Sequence, residues 1–330
     1  MSNNIGFDLH GADQGMEAVI EGLSLYLNES KSTSKITLFG NEQEAKTVLK
    51  KFNLDTNDNI TVVHTTEVIE NTEEPALAIR KKKDSSMVVG ANALKNGEVD
   101  CFVSSGSTGA LVASGIFIVG RIKGIERPAL AGLLPSANKE KPTLILDLGA
   151  NVESKPEHLI QYGTMGSQFM SSVYDIAEPK VALINVGSED GKGSTLYKEA
   201  FYGLKEQDIN FVGNVEAREV LTTKNDVLVI DGFSGNILLK SIEGTVALFN
   251  SEIKKAFFKN AKTKIAGLLV KNSLKDMKGQ FDYRELGATP VFGVNGILLK
   301  AHGSSDSLAF KNAFRSADEL ITSDFLKNIK

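Results

Sequence analysis

Short apolar runs alternate with amphipathic stretches along most of this chain, and the alternation predicts strands that feed helices. Val227, Leu228, Val229 and Ile230 have the continuous apolar character of a strand covered on both faces. Asp231, Gly232, Phe233, Ser234, Gly235 and Asn236 follow, and Ile237, Leu238 and Leu239 then open an expected helix through Leu248. Four more units repeat this order. Ile5, Gly6, Phe7 and Asp8 lead past His10, Gly11, Ala12 and Asp13 into a helix with apolar positions at Val19, Ile20, Leu23 and Leu27. Cys101, Phe102 and Val103 lead through Ser104, Ser105, Gly106, Ser107, Thr108 and Gly109 into an apolar helix from Ala110 to about Val119. Leu144, Ile145, Leu146 and Asp147 precede Gly149, Ala150 and Asn151, and Ser154, Lys155, Pro156 and Glu157 read as the helix start beyond, with proline where its missing donor costs nothing. Val181, Ala182, Leu183 and Ile184 precede a glycine-rich loop at 187–193 whose basic residue is Lys192, and a helix from Ser194 to about Leu204.

Strands alternating with helices imply a mostly parallel, doubly wound α/β sheet, in which every strand-to-helix loop lies on the carboxyl edge. The five loops are therefore expected to face one cleft. Residues 28–100 hold weaker units, with strands near 36–39 and 60–63, and 287–330 holds a strand pair and a C-terminal helix. At 330 residues and 42% hydrophobic, the chain can form one large α/β domain or two lobes sharing a sheet. With no linker-like stretch, internal repeat or low-complexity tract, residues 1–330 are expected to be one domain.

The loop at 231–236 is suited to an anion. Its two glycines let backbone N–H groups face a ligand, the following helix N-terminus favours negative charge, and Ser234 and Asn236 add donors. A plain βα turn would read the same way, so the recurrence of such loops carries the weight. Val186 stands where a Walker A motif before Gly191 and Lys192 needs glycine, and Gly193 where it needs Ser or Thr. No strand is followed by G-x-G-x-x-G, and neither Ser107 nor Ser234 sits in a G-x-S-x-G elbow. His10, His64, His158 and His302 are scattered, so neither a metal site nor a cofactor is expected. Structural roles suit His64 and His158; His302, between a strand and a Gly-Ser loop, suits ligand contact equally.

Net charge is -4, which gives no case for nucleic acid. A lone Cys101 excludes an internal disulfide, the N-terminus lacks a signal core, and no apolar stretch is long enough to span a bilayer. A cytoplasmic place is the default. Charge is unevenly distributed, however. Between Ile253 and Phe281 lie eight lysines against one acid, Asp276, interleaved with Phe257, Phe258, Ile265, Leu268, Leu269, Val270, Leu274 and Met277. An amphipathic helical hairpin over about 245–285, broken near Gly267, is the expectation. Its apolar face suits a homodimer, and its lysines suit an anionic membrane surface or an acidic partner. The run Arg80, Lys81, Lys82 and Lys83 reads as a solvated helix face.

Ser85-Ser86-Met87, SSGSTGAL at 104–111, GIERPAL at 124–130, LDLGANVE at 146–153, DGFSGNILLK at 231–240 and GVNGILLKAHGSSD at 293–306, in this order, resemble the phosphate acyltransferases of bacterial phospholipid synthesis, the PlsX family. The resemblance implies a Rossmann-like α/β/α fold related to isocitrate and isopropylmalate dehydrogenases and to phosphotransacetylases, in a homodimer. It implies transfer of a long-chain acyl group from acyl carrier protein to inorganic phosphate, for a downstream membrane acyltransferase. By motif, Lys192, Asn236 and His302 are the implied catalytic residues. Asp8, Gly106, Ser107, Thr108, Gly109, Asn151, Asp231, Gly232, Ser234 and Gly235 are the implied phosphate site. Lys262, Lys264, Leu268 and Leu269 are the implied contacts for membrane or carrier, giving peripheral membrane association. The chain departs from the family's usual DxMGGD and SAGNTGA at His10, Ala12 and Ser107. A coenzyme A phosphotransacetylase and a non-catalytic phosphate or nucleotide sensor are the competing functions.

Overall fold

The computed structural model describes residues 3–30, 32–134, 136–137, 141–274, 287–323 and 326. Its strands are β1 (Asn4–Asp8), β2 (Lys35–Gly40), β3 (Ile60–His64), β4 (Cys101–Ser104), β5 (Ala129–Leu130), β6 (Gly132–Leu134), β7 (Thr143–Leu146), β8 (Lys180–Asn185), β9 (Asn210–Glu216), β10 (Val227–Val229), β11 (Ala288–Phe292) and β12 (Ile297–Ala301). The helices are α1 (Gly15–Ser30), α2 (Glu42–Lys51), α3 (Pro75–Lys81), α4 (Ser86–Lys95), α5 (Thr108–Ser114), α6 (Pro156–Tyr174), α7 (Thr195–Lys205), α8 (Gly232–Phe258), α9 (Ala261–Leu269) and a C-terminal helix at Ser307–Thr322.

The expected Rossmann-like α/β architecture is present, with one difference: the strands form two sheets. Among the described residues these run β3-β2-β1-β4-β12-β11-β5 and β6-β7-β10-β8-β9. Parallel pairing dominates, and antiparallel pairs gather where β11, β5 and β6 bring the sheets to each other. Residues on alternate strand faces enter different clusters, as a two-residue side-chain period requires. Phe7, Val103, Leu146 and Val229 belong to one cluster, Phe102, Ile145, Leu228 and Leu298 to the other, so each cluster draws on both sheets. Phe7 stacks on Phe314 at 4.4 Å and meets Phe310 edge-on, which seats the C-terminal helix on β1.

Asp147 joins the sheets. It follows β7, yet its buried Oδ1 accepts from Leu130 N–H of β5 at 2.9 Å, and Leu148 N–H returns a bond to Leu130 O. The same carboxylate accepts from Gly149 N, Ala150 N, Asn151 N and Asn151 Nδ2 at 2.9–3.0 Å. Burial pushes this carboxyl up, and the N–H donors around it pull the other way.

Helix α8 begins at Gly232 rather than at the expected Ile237, because Asp231 caps it by accepting from Ser234 N–H at 3.0 Å. The glycines of this turn serve close packing. A Cβ at Gly232 would stand 2.2 Å from Asn151 O, and one at Gly235 would stand 1.9 Å from Asp147 O. The hairpin breaks at Asn260, whose side chain caps α9 by accepting from Thr263 N–H, and not at Gly267. Gly267 instead packs against the Phe257 ring. The hairpin's expected continuation through Lys275, Asp276, Met277, Lys278 and Phe281 lies outside the described residues.

Gly235→Ala is expected to destabilise the protein by roughly 1–3 kcal/mol through backbone displacement. Gly244→Ala, in the same helix with nothing near its Cβ position, should stabilise it by about 0.5–1 kcal/mol. Urea unfolding midpoints of the two variants check both signs.

Candidate active site

A cavity of about 390 Å³ lies between the carboxyl edges of the two sheets. The loop after β4 supplies Ser105, Gly106 and Thr108, and the loop after β7 supplies Leu148 and Gly149. The first turns of α8 supply Asn236, Leu239, Lys240 and Glu243, and the end of β12 supplies Lys300, His302 and Ser304. Leu130, Leu133, Leu134 and Pro290 add an apolar wall. The loops after β1 and β4 meet here because Gly11 passes so near Gly106 that a Cβ would stand 2.3 Å from its Cα; Gly11, at φ +83, fits without one.

Four of the expected site residues therefore line one cavity: Gly106, Thr108, Asn236 and His302. Gly149 places the β7 loop against Asn236, its Cβ position 3.2 Å from Asn236 Cβ. The other expected residues surround and hold it. Buried Asp8 receives Ser104 Oγ–H at 2.6 Å and His10 N–H at 2.9 Å, tying two loops together; burial pushes its carboxyl up while the Ser104 hydroxyl opposes the shift. Ser107 caps α5, and Gly109 packs on Pro75. Asn151 Nδ2 is taken up by Pro128 O, Asp147 and Tyr162 Oη at 2.7–3.0 Å. Asp231 accepts from Tyr197 Oη–H at 2.5 Å as well as from Ser234 N–H, so both carboxylate oxygens face protein donors.

Lys192 is not among the cavity's lining residues. Its side chain is 49% exposed, with Nζ 3.6 Å from Glu189. The loop that carries it closes on Asn185, which donates to Lys192 O, and it borders the Asp231 turn through Tyr197. The cavity's cations are instead Lys240 and Lys300, together with His302 when protonated. No spacing motif marks those lysines, since each sits in an apolar stretch, at the end of NILLK and of GILLK.

His302 Nδ1 accepts from Ser304 N–H at 3.3 Å and lies 2.8 Å from Ser304 Oγ. The other ring nitrogen, Nε2, stands 3.7 Å from Glu243 and 3.3 Å from Lys240 Nζ. Burial, and then the Lys240 ammonium, push the His302 pKa down, while Glu243 pulls it up. Lys240 itself pairs with Glu243 at 2.8 Å. Of the two histidines read as structural, His64 Nδ1 accepts from Glu42 N–H and His158 Nδ1 from Lys155 N–H. Lys82, in the smaller basic run, pairs with Glu73 at 2.5 Å.

On the hairpin, Lys262 and Lys264 are exposed, with Lys264 Nζ 6.0 Å from the Phe258 ring centroid. Leu268 and Leu269 are 70% and 82% exposed. Among the described residues no helix is long and apolar enough to cross a membrane.

Two sheets whose carboxyl edges enclose a cavity lined by cations, glycine loops and apolar side chains suit a site for an anion beside an apolar group. Comparison with known proteins gives the class. The model of the family described as fatty acid synthesis protein matches residues 3–328. A phosphate acyltransferase of Geobacillus sp. (strain WCH70) is 45% identical over 326 residues, 99% of this chain and 97% of its own length. Another, from Clostridioides difficile (strain 630), is 45% identical over 309 residues, 94% and 90% of the two chains. The chain belongs to this phosphate acyltransferase family, PlsX, and is an acyltransferase. Solved structures support the fold alone. A phosphotransacetylase from Streptococcus pyogenes superposes with TM-score 0.62 at 18% identity, over 97% of this chain and 94% of that one. A 4-hydroxythreonine-4-phosphate dehydrogenase from Burkholderia phymatum gives 0.50 at 13%, over 97% and 98%.

Because Lys240 holds the His302 pKa down, Lys240→Met should raise it, Glu243 then being the nearer charge. An NMR titration of the His302 ring checks this; a pKa that stays put or falls contradicts the geometry.

Proposed function

We propose that this enzyme transfers a long-chain acyl group from the thioester of acyl carrier protein to inorganic phosphate, making acyl phosphate for a membrane acyltransferase of phospholipid synthesis. The supporting observation is one cavity with two kinds of lining: polar and cationic groups in Lys240, Lys300, His302, Asn236 and Thr108, and apolar ones in Leu130, Leu133, Leu134, Leu148 and Leu239. Phosphate is already an anionic nucleophile at neutral pH, so the chemistry needs charge relief, orientation and stabilisation of the thioester oxyanion. A phosphate oxygen forms the bond to the carbonyl carbon, the C–S bond breaks, and the proton carried by phosphate ends on the departing thiol. In this scheme Asn236 and Thr108 orient phosphate and His302 contacts phosphate or the leaving sulfur. Asp8, Asp231, Ser107 and Asn151 hold the loops in place. Burying acyl methylenes on the leucine wall contributes about 0.8 kcal/mol each.

The exposed Leu268 and Leu269 beside Lys262 and Lys264 support the hairpin as the surface that meets an acidic carrier or an anionic membrane, and as the contact of a homodimer. Peripheral attachment at the cytoplasmic face of a membrane follows.

Purified protein with palmitoyl-acyl carrier protein and phosphate is expected to release carrier thiol and form acyl phosphate in equal amounts. No phosphate-dependent thiol release would sink the assignment, and equal turnover of palmitoyl-coenzyme A would shift it toward a phosphotransacetylase. Phosphate binding without turnover would make the protein a sensor. Lys192, outside the cavity lining but on the loop that borders the Asp231 turn through Tyr197, is a further candidate cation in this scheme. Lys192→Ala should cost about 10²-fold in turnover, and unchanged turnover removes it. Reversing charge at Lys262 and Lys264 should weaken binding to carrier protein or anionic vesicles and flatten its salt dependence. Binding to both that is unaffected in strength and salt response assigns those lysines to solvent alone.

A further inference from the structure

Lys300 is a cation whose surroundings call for an anion. It is the penultimate residue of β12, which lies between β4 and β11 inside the seven-stranded sheet, and it shares a strand face with buried Leu298. A lysine placed on such a face loses most of its hydration, and it stays charged only where carbonyls or carboxylates replace the lost water. The replacements here are incomplete. Nζ donates to Ser105 O at 2.9 Å and to Ala301 O, two carbonyls for an ammonium with three N–H donors. Among the described residues no carboxylate reaches ion-pair distance of it. Buried Asp8 and Asp13, which lines the same cavity, act on it electrostatically. The side chain lines the cavity next to Thr108 and His302. Ser105, whose carbonyl it holds, lines the cavity too, and Ser105 Oγ is buried without a hydrogen-bond partner among the described residues.

We propose that the Lys300 ammonium is the internal cation that binds inorganic phosphate in this cavity, directing its third N–H at a phosphate oxygen while Ser105 O and Ala301 O fix its position. This deepens the proposed acyl transfer and rests on that reading for its substrate. The arrangement binds the anion by charge from within the sheet, whereas Lys240, paired with Glu243 on α8, adds its charge at the helical wall. Burial pushes the Lys300 pKa down to about 8, against the pull of Asp8 and Asp13 and with the help of Lys240. The charged groups acting on this part of the cavity are Asp8 of β1, Asp13 of the following loop, Lys240 and Glu243 of α8, and His302 after β12. The ammonium is present below that pH and lost above it, so phosphate affinity should fall as pH rises through about 8.

The test measures binding of inorganic phosphate alone to the intact protein, by calorimetry or ³¹P NMR, so that failure of acyl transfer does not decide it. For the native enzyme, Kd for phosphate should rise about tenfold per pH unit above about 8, where free phosphate is already the dianion. Lys300→Arg, which keeps its charge there, should flatten that rise. Lys300→Met should raise Kd, and KM for phosphate in the transfer assay, about 10- to 100-fold, with KM for the acyl carrier little changed. A native Kd that is flat from about pH 7.5 to 9.5 overturns the proposal. So does a folded Lys300→Met enzyme that keeps its phosphate affinity and loses only kcat, since that outcome assigns Lys300 to strand and loop architecture. If Lys300→Met does not fold, the native pH series decides. A native enzyme that binds phosphate in this pH-dependent way without releasing thiol refutes the transfer and leaves Lys300 as a phosphate ligand.

Discussion

The buried carboxylate of Asp147 gathers five N–H donors from the two sheets and the loop between them, and the β5, β7 and α8 sides of the cavity depend on it. Leu130 N–H comes from β5 of the seven-stranded sheet, while Gly149, Ala150 and Asn151 belong to the loop leaving β7 of the other. Removing that carboxylate would strand donors in an interior where each unmet hydrogen bond costs about 1–3 kcal/mol. The constraint extends to α8, since Gly232 and Gly235 rest against Asn151 O and Asp147 O. Asn236, Lys240 and Glu243 are thus aimed at the cavity by a helix whose first turn is seated on the Asp147 loop. One acidic side chain with no place in the cavity lining sets where the α8 side of the cavity stands.

Much of this was legible in the pattern of the chain. Each of the five apolar runs that announced a strand is one, and the helix at Pro156 starts where its proline and Lys155 indicated. Gly106, Thr108, Asn236 and His302, singled out from small polar loops, converge on one cavity. Convergence of that kind follows from parallel strands, whose carboxyl ends share an edge. Division into two sheets was not legible. It is made by β5 and β6, strands of two and three residues whose hydrogen-bond partners lie far away in sequence.

Several of the small polar residues have a second role with one physical cause: a residue suited to a ligand is also suited to the protein's own backbone. Gly232 and Gly235 read as an opening for an anion, and they are contacts too close for a Cβ. Asp231 and Asn151 read as ligand groups, and Asp231 also accepts from Tyr197 and Ser234 while Asn151 Nδ2 also donates to Pro128 O and Asp147. Conversely, Lys300 sits in an aliphatic run, where periodicity reports a strand and conceals a charge. Only three-dimensional placement shows whether a polar group's bonding capacity is already used.

Helix α8 carries this local geometry over a long distance. Its 27 residues span about 40 Å, beginning at the Asp147 loop, passing Asn236, Lys240 and Glu243 at the cavity, and ending at Phe258 among exposed apolar side chains. In the proposed reaction the acyl phosphate product has a charged head and a long apolar chain, which need both a polar pocket and a route out of water. A continuous helix satisfies the two needs with one rigid body, because its N-terminal turn is fixed by packing too tight for a side chain while its far half is free of the core. The exposed Leu248, Phe249 and Phe258 lie on the element that carries Asn236, so an exposed apolar surface and part of the polar cavity lining belong to the same helix. Separation of these roles along one helix also explains the charge pattern: Lys240 is held by Glu243 near the cavity, whereas Lys262 and Lys264, beyond the Asn260 break, remain exposed to solvent.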